Sequence, residues 1–209
     1  MFTNSNIILP QTLLLLEQLM EDNYLQQFYL VGGTSLALQI GHRFSIDLNL
    51  FSNEPFNNET LQTYLEEKYF FETDFVVNNT LKGSVKGVKL DFITHAYPLI
   101  EPFIIIGNIR LASLKDIAAM KLNAIAHNGT RYKDFIDIYF LLKTFCLNEM
   151  LKSFSLKYPK ANPIIALKGL GYFEEINFEF DKPVLTYLLT FDKVKKRLLL
   201  SIEQPAKVF

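Results

Sequence analysis

The sequence contains few of the residues on which several classes of protein depend. Its 209 residues include one cysteine, three histidines and no tryptophan. The single Cys146 excludes an intrachain disulfide, and a zinc site built from thiolates and imidazoles is not expected from so few ligands. The chain also lacks a Gly-x-Ser-x-Gly nucleophile motif and a P-loop lysine after its glycine pair. These absences argue against a serine hydrolase and a P-loop NTPase.

Long apolar runs are missing as well. No apolar stretch reaches the ~18 residues that a membrane helix needs, and the first four residues lack the basic start of a signal peptide. With 49% hydrophobic and 21% charged residues, the composition is that of a soluble globular protein. We therefore expect a cytoplasmic protein that does not bind a membrane.

Charge is distributed unevenly, although the net charge is only −1. Residues 1–110 contain 6 Lys and Arg against 12 Asp and Glu, whereas residues 150–209 contain 10 against 6. The basic segment 193–197 is either a solvated helix face or a surface for a polyanionic partner.

The hydrophobic pattern changes near residue 110, which predicts an α/β region over 1–110 and a helical region over 111–209. In the first region we predict a hairpin turn at Lys82-Gly83-Ser84, because glycine and serine favour turns. The predicted strands are 27–31, 46–51, 70–81, 85–94 and 99–106. The predicted helices are 11–23, 34–40, 59–68, 113–127, 131–145 and 150–158, and the tail segments 163–170, 183–189 and 192–202 are predicted to be short helices and loops.

The segment from Phe28 to Phe51 carries the most information about function. Gly32 and Gly33 follow a predicted strand and precede a helix capped by Thr34, with Gly41 as its C-terminal stop. A glycine pair at a helix start is either a simple turn or a place where backbone amides approach a phosphate. The next predicted strand carries Asp47 and Asn49, which share one face because they lie two residues apart.

Further candidates occur later in the chain. Asp91 lies in an alternating strand, either as part of an exposed face or as a metal ligand beside Asp47. Arg43 follows the helix stop, where its guanidinium could pair with a phosphate or hold Asp47.

Lys121 occupies the middle of an apolar helical stripe, so its ammonium must either reach solvent or meet an anion. That anion is a triphosphate, or else Asp134 or Asp137 at the start of the next helix. Acids in a first helical turn also have a purely structural explanation, because they favour the helix dipole.

Taken together, these residues resemble the AbiEii/AbiGii-type nucleotidyltransferases, toxins of bacterial toxin–antitoxin and abortive-infection modules. The resemblance extends over nearly the whole chain. The matching segments are 30–38, 41–51, 88–91, 112–122, 132–137, 170–173 and 194–196.

The resemblance implies a polymerase-β-like fold, in which a mixed sheet flanked by helices is followed by a helical domain that completes the active site. It implies an NTP substrate, Mg²⁺ as cofactor, an RNA acceptor such as tRNA, and a winged-helix antitoxin encoded alongside. It further implies roles for the site residues: the triphosphate would contact Gly32, Gly33, Thr34, Ser45 and Lys121, Mg²⁺ would bind Asp47 and Asp91, and Asp134 would be a catalytic or base-contacting group.

Asn49 departs from the family pattern, which has a second carboxylate at this position. An amide can offer a carbonyl oxygen to a metal but no charge, so the affinity for a second Mg²⁺ should fall. The sequence leaves open a weakened enzyme, a nucleotide-binding homologue without activity that acts through a partner, and a substitution made to silence a toxin. It also leaves open a transferase that modifies a small molecule or a protein.

Overall fold

The computed structural model describes residues 7–179 and 182–209. The chain divides into two compact units. The first contains the residues up to Pro98 together with Phe103–Ala112, and the second contains Leu99–Pro102 together with Ser113–Phe209.

A seven-stranded mixed sheet organises the first unit, in the order β3-β4-β5-β2-β1-β7-β6. Strand β2 pairs antiparallel to β1 and parallel to β5, and β1 pairs parallel to β7. The predicted mixed sheet flanked by helices is therefore confirmed, although β4 and β7 were not predicted as strands of their own. The strands are β1 (Tyr29–Val31), β2 (Leu48–Ser52), β3 (Glu72–Val77), β4 (Thr80–Val85), β5 (Val88–Thr94), β6 (Ile104–Ile106) and β7 (Ile109–Leu111).

The two faces of this sheet differ in polarity. Along β2, buried residues (Leu48, Leu50 and Ser52) alternate with half-buried ones, and β4 and β5 show a similar alternation. The buried leucines join an apolar core with residues of three α-helices of this unit, where each large side chain contributes about 1.5–3 kcal/mol by leaving water. The helices are α1 (Pro10–Glu21), α2 (Gly32–Ile40) and α3 (Asn58–Tyr69). The opposite face of β2, β4 and β5 remains available for polar side chains.

The predicted hairpin turn at Lys82-Gly83-Ser84 is wrong, because these residues lie inside β4. The chain turns instead at Lys86-Gly87, where both residues have positive φ. Gly83 is required for another reason: a Cβ there would lie 2.1 Å from the Glu72 carbonyl oxygen and 2.5 Å from the Phe71 ring, so only glycine allows both to pack this closely.

Among the described residues, the second unit contains five α-helices, which agree with the predicted helices within a few residues, and the predicted tail segment 183–189 is not helical. The five helices are α4 (Leu114–His127), α5 (Tyr132–Leu141), α6 (Leu147–Lys157), α7 (Pro163–Leu170) and α8 (Phe191–Glu203). None of the helices in the described ranges is both long enough and apolar enough to cross a membrane.

A buried carboxylate explains why the short segment Leu99–Pro102 belongs to the second unit. Asp116 of α4 accepts hydrogen bonds from the backbone amides of Ile100 and Glu101 and forms an ion pair of 2.8 Å with Lys157. Both charged side chains are only 1% exposed, so removing either one would leave the other buried without its partner.

In the first unit, Asp22 connects the end of α1 to the end of α3. Its carboxylate accepts hydrogen bonds from the hydroxyls of Tyr64 and Tyr69 and from the ammonium of Lys68. Burial alone would raise the pKa of Asp22, but the bonds from Lys68, Tyr69, Tyr64 and the Tyr24 amide outweigh it and lower the pKa to about 2.

This arrangement predicts a pH-dependent contribution to stability. Because the folded-state pKa lies below the unfolded value, the contribution is present above about pH 4 and is lost as the pH falls towards 2. At pH 7, Asp22→Asn should lower the free energy of unfolding by roughly 1–2 kcal/mol, after allowing for solvent screening. Denaturant unfolding between pH 7 and pH 2.5 should show the two proteins converging. Glu67→Gln, which removes an exposed acid of α3, is the matched control, and an equal loss in both variants would contradict the assignment.

Candidate active site

Helix α2 begins directly after β1, at the glycine pair. Gly32 has φ +70°, a conformation that favours glycine, and the helix ends at Gly41, which has φ +69° and donates its amide to Ala37. The predicted Gly41 stop is confirmed. The predicted Thr34 cap is wrong, because the helix starts two residues earlier and Val31 is its N-cap.

The space that the two glycines leave is used by side chains of this same chain. A Cβ on Gly33 would lie 2.0 Å from Nη2 of Arg43, and a Cβ on Gly32 would lie 3.1 Å from Nδ2 of Asn49. Arg43 is 2% exposed and donates to the Phe44 carbonyl. The start of α2 is therefore covered by a guanidinium and an amide, both of which can donate hydrogen bonds to a phosphate.

Two hydroxyls hold the loop that carries Asp47. The buried Thr34 hydroxyl donates to the backbone carbonyl of Asp47 at 2.5 Å, and its oxygen lies 2.7 Å from the hydroxyl oxygen of Ser45. Asp47 itself directly precedes β2 rather than lying within it, and it continues the half-buried positions of Asn49 and Phe51. Thr34 and Ser45 thus position the backbone at Asp47.

The polar face of the sheet carries a row of three side chains on adjacent strands. Asn49 of β2 is the register partner of Asp91 on β5, and Asp91 is the register partner of Lys82 on β4. The Lys82 ammonium lies 2.9 Å from Oδ2 of Asp91. Asp91 therefore lies in one row with Asn49, and it already has the Lys82 ammonium beside it.

The sequence analysis did not select Lys82. The misplaced hairpin turn put this residue in a loop, whereas a turn at Lys86-Gly87 would have placed it opposite Asp91 by simple alternation.

In the second unit, Lys121 of α4 meets both acids of α5. Its ammonium lies 2.6 Å from Oδ1 of Asp134 and 2.7 Å from Oδ2 of Asp137, and all three side chains are at most 10% exposed. Oδ2 of Asp134 accepts no hydrogen bond within the described residues, and Nε of Arg131 is 3.9 Å away. The sequence offered a triphosphate, Asp134 or Asp137 as the anion for Lys121. In the structure, Lys121 is paired with both Asp134 and Asp137.

The residues predicted for the site fall into two groups. The first unit holds the glycine pair with Thr34, Arg43, Ser45, Asp47, Asn49 and Asp91, and the second unit holds Lys121 and Asp134. Within residues 7–179 and 182–209, no three or more His, Cys, Asp or Glu side chains are grouped as metal ligands.

Comparison with solved structures identifies the class of fold. A Helicobacter pylori protein described as a candidate nucleotidyltransferase superimposes with a TM-score of 0.56 at 19% identity, covering 95% of this chain and 96% of its own. A second H. pylori protein, JHP933, gives a TM-score of 0.54 at 19% identity, covering 95% of this chain and 93% of its own. The mixed sheet and its helices are thus those of a nucleotidyltransferase-like fold.

The family follows from sequence comparison. The model of the nucleotidyl transferase AbiEii toxin family, type IV toxin–antitoxin system, matches residues 14–183. An uncharacterized protein of Aquifex aeolicus (strain VF5) is 32% identical over 188 residues, which cover 87% of this chain and 91% of the relative. The chain belongs to the AbiEii nucleotidyl transferase toxin family, as the resemblance in its motifs predicted.

The buried pairing of Lys121 predicts a large effect on stability. Lys121→Met leaves Asp134 and Asp137 together without their ammonium, so the free energy of unfolding should fall by on the order of 3–5 kcal/mol. Lys152→Met removes an exposed lysine of α6 and should change it by less than about 0.5 kcal/mol. Guanidinium unfolding followed by circular dichroism measures both. Equal midpoints for the two variants would show that the acids do not depend on Lys121.

Proposed function

We propose that this protein is a Mg²⁺-dependent nucleotidyltransferase that transfers a nucleotide from an NTP to a hydroxyl of RNA, with tRNA as the first acceptor to test. The observation that carries the proposal is the pairing of Asn49 with Asp91 on adjacent strands, with Asp47 directly before β2 and the glycine-opened helix α2 directly after β1. Membership of the nucleotidyl transferase family supports the reaction class.

In this reaction an acceptor hydroxyl oxygen forms a bond to the α-phosphorus, and the bond to the pyrophosphate oxygen breaks. The hydroxyl proton leaves to a base, and the Asp47 carboxylate is the group proposed to accept it. Arg43, packed on Gly33, would hold negative charge at the start of α2, where the helix dipole also favours an anion. The roles that the resemblance implies for Lys121 and Asp134 stay predictions, because the two side chains are paired with each other in the second unit.

The donor set fits a divalent cation, but with less charge than a two-metal site usually has. Asp47 and Asp91 offer carboxylates, Asn49 offers a carbonyl oxygen, and the Asp91 carboxylate is paired with Lys82. When bound, Mg²⁺ would make the acceptor hydroxyl more acidic and would neutralise phosphate charge.

The second unit supports a polyanionic acceptor. Helix α8 buries Val194 and Leu198 and exposes Lys193, Lys195 and Lys196 on its other side. A basic helix face of this kind attracts a nucleic-acid backbone without reading its sequence. The toxin–antitoxin description of the family supports a cognate antitoxin as a further partner, and we propose the winged-helix type implied by the resemblance.

The experiment is a transfer assay with each α-labelled NTP, Mg²⁺ and total tRNA. We expect labelled tRNA from the wild-type protein, and Asn49→Asp is assayed beside it because its carboxylate restores the charge that the resemblance implies at this position. Asp47→Asn should abolish labelling, whereas Asp74→Asn, an exposed acid of β3, should not. If neither the wild type nor Asn49→Asp labels RNA with any NTP, transfer to RNA is refuted.

A second candidate function follows from Asn49 and from the Lys82–Asp91 ion pair, both of which reduce the negative charge available to a metal. A nucleotide-binding protein without turnover would keep the phosphate contacts of α2 and act through a partner. It predicts that NTP with Mg²⁺ raises the melting temperature by a few degrees while no labelled product forms. A melting temperature that is unchanged at millimolar NTP would exclude this candidate, and labelled product would favour the enzyme.

A further inference from the structure

Lys82 places its ammonium beside Asp91, at a carboxylate that could otherwise bind a metal cation. Its ammonium is 2.9 Å from Asp91, with the two side chains 41% and 28% exposed, and it is on the polar sheet face that also carries Asn49. On the opposite side of Asp91 in the same row, the amide of Asn49 lies over Gly32. Asp91 is thus flanked by a cation on one strand and by a neutral amide on the other.

The charges of this row do not fit two divalent cations. Two Mg²⁺ ions normally need about three carboxylates, because hard cations prefer anionic oxygen ligands. Here Asp47 and Asp91 are the two acids of the site, and Lys82 neutralises one of them. A second divalent ion at Asp91 would have to displace the Lys82 ammonium or bind close to it. Either would weaken binding, because the ion pair would be lost or the two cations would repel each other.

We infer that the Lys82 ammonium takes the place of the second cation, so that the site binds a single divalent ion and Asn49 is its matching neutral neighbour. This inference rests on the proposed function. Asn49 and Lys82 belong together in this arrangement. A carboxylate at position 49 is not needed when the fixed Lys82 ammonium takes the place of a metal ion. Lys82 is then a positioning residue, which acts on the site by holding Asp91.

A purely structural role for Lys82 would leave metal binding unchanged. A cross-strand pair of opposite charges at the surface adds little to stability, since solvent screens it. The same ammonium in direct contact with a metal-binding carboxylate has a large effect on any divalent ion at that carboxylate, because both cations compete for the same oxygen. Metal stoichiometry therefore separates the two roles.

The test is a titration with Mn²⁺ alone, followed by electron paramagnetic resonance, on wild type, Lys82→Met, Asn49→Asp and the double variant. We expect one Mn²⁺ per wild-type chain, about tenfold tighter binding in Lys82→Met, and a second Mn²⁺ only in the double variant. Lys86→Met is the charge-matched control in the β4–β5 turn. It is roughly 15 Å from Asp91 along the strand, beyond the Debye length at 0.15 M salt, and should bind as wild type does.

Two Mn²⁺ ions in the wild type would overturn the inference, as would Lys82→Met binding indistinguishable from that of Lys86→Met, or no binding by any variant. Lys82→Gln provides a second variant if Lys82→Met does not fold. Because the titration contains neither NTP nor acceptor, its result is independent of transfer. If the protein transfers nucleotides but the variants do not change Mn²⁺ binding, the proposed activity is supported and the role of Lys82 is refuted. If the variants change Mn²⁺ binding but no transfer occurs, the metal site is supported and the proposed reaction is refuted.

Discussion

The register of β2 between β1 and β5 is the constraint on which the first unit depends. This pairing buries Leu48 and Leu50 on one face and places Asn49 beside Asp91 on the other. A slip of one residue would exchange the two faces, exposing leucines and burying the Asn49 amide, and both changes are costly. The hydrophobic core therefore determines which polar side chains can meet, and the chemistry of the site follows from the packing beneath it.

The two units stabilise their charged residues in different ways. In the first, the Lys82–Asp91 pair and the Asp22 cluster are reached by water, so their ions keep part of their solvation and the pairs add modest stability. In the second, Asp116 with Lys157 and Lys121 with its two acids are almost fully enclosed. Removing one partner there leaves a charge without solvent, which makes these pairs costly to break although they contribute little when intact.

Much of this structure could be predicted from periodicity and glycine position alone. The α2 stop at Gly41 was found because few other residues adopt its left-handed conformation, and the strand with Asp91 because its alternation is regular. Gly83 misled the prediction because a glycine in a sequence indicates either a turn or a close approach. Only the packed structure shows that Gly83 is a close approach and not a turn. That error concealed Lys82, since the face of a strand residue is unknown until the turn is placed. The sequence also could not select among the anions available to Lys121, because the choice depends on how α4 and α5 pack.

Asn49 has a different meaning once its neighbours are known. In the sequence it is a departure, an amide at a position where the resemblance implies a metal-binding acid. In the sheet, Asn49 lies in one row with the Asp91 carboxylate and the Lys82 ammonium, and Asp91 is in the middle. An acid at position 49 would add negative charge beside an Asp91 that Lys82 has neutralised, and it would call for a cation that the lysine excludes. The amide keeps the shape of an aspartate, still fits over Gly32 and removes that conflict. Asn49 is therefore better understood as a residue matched to Lys82 than as damage to an ancestral site.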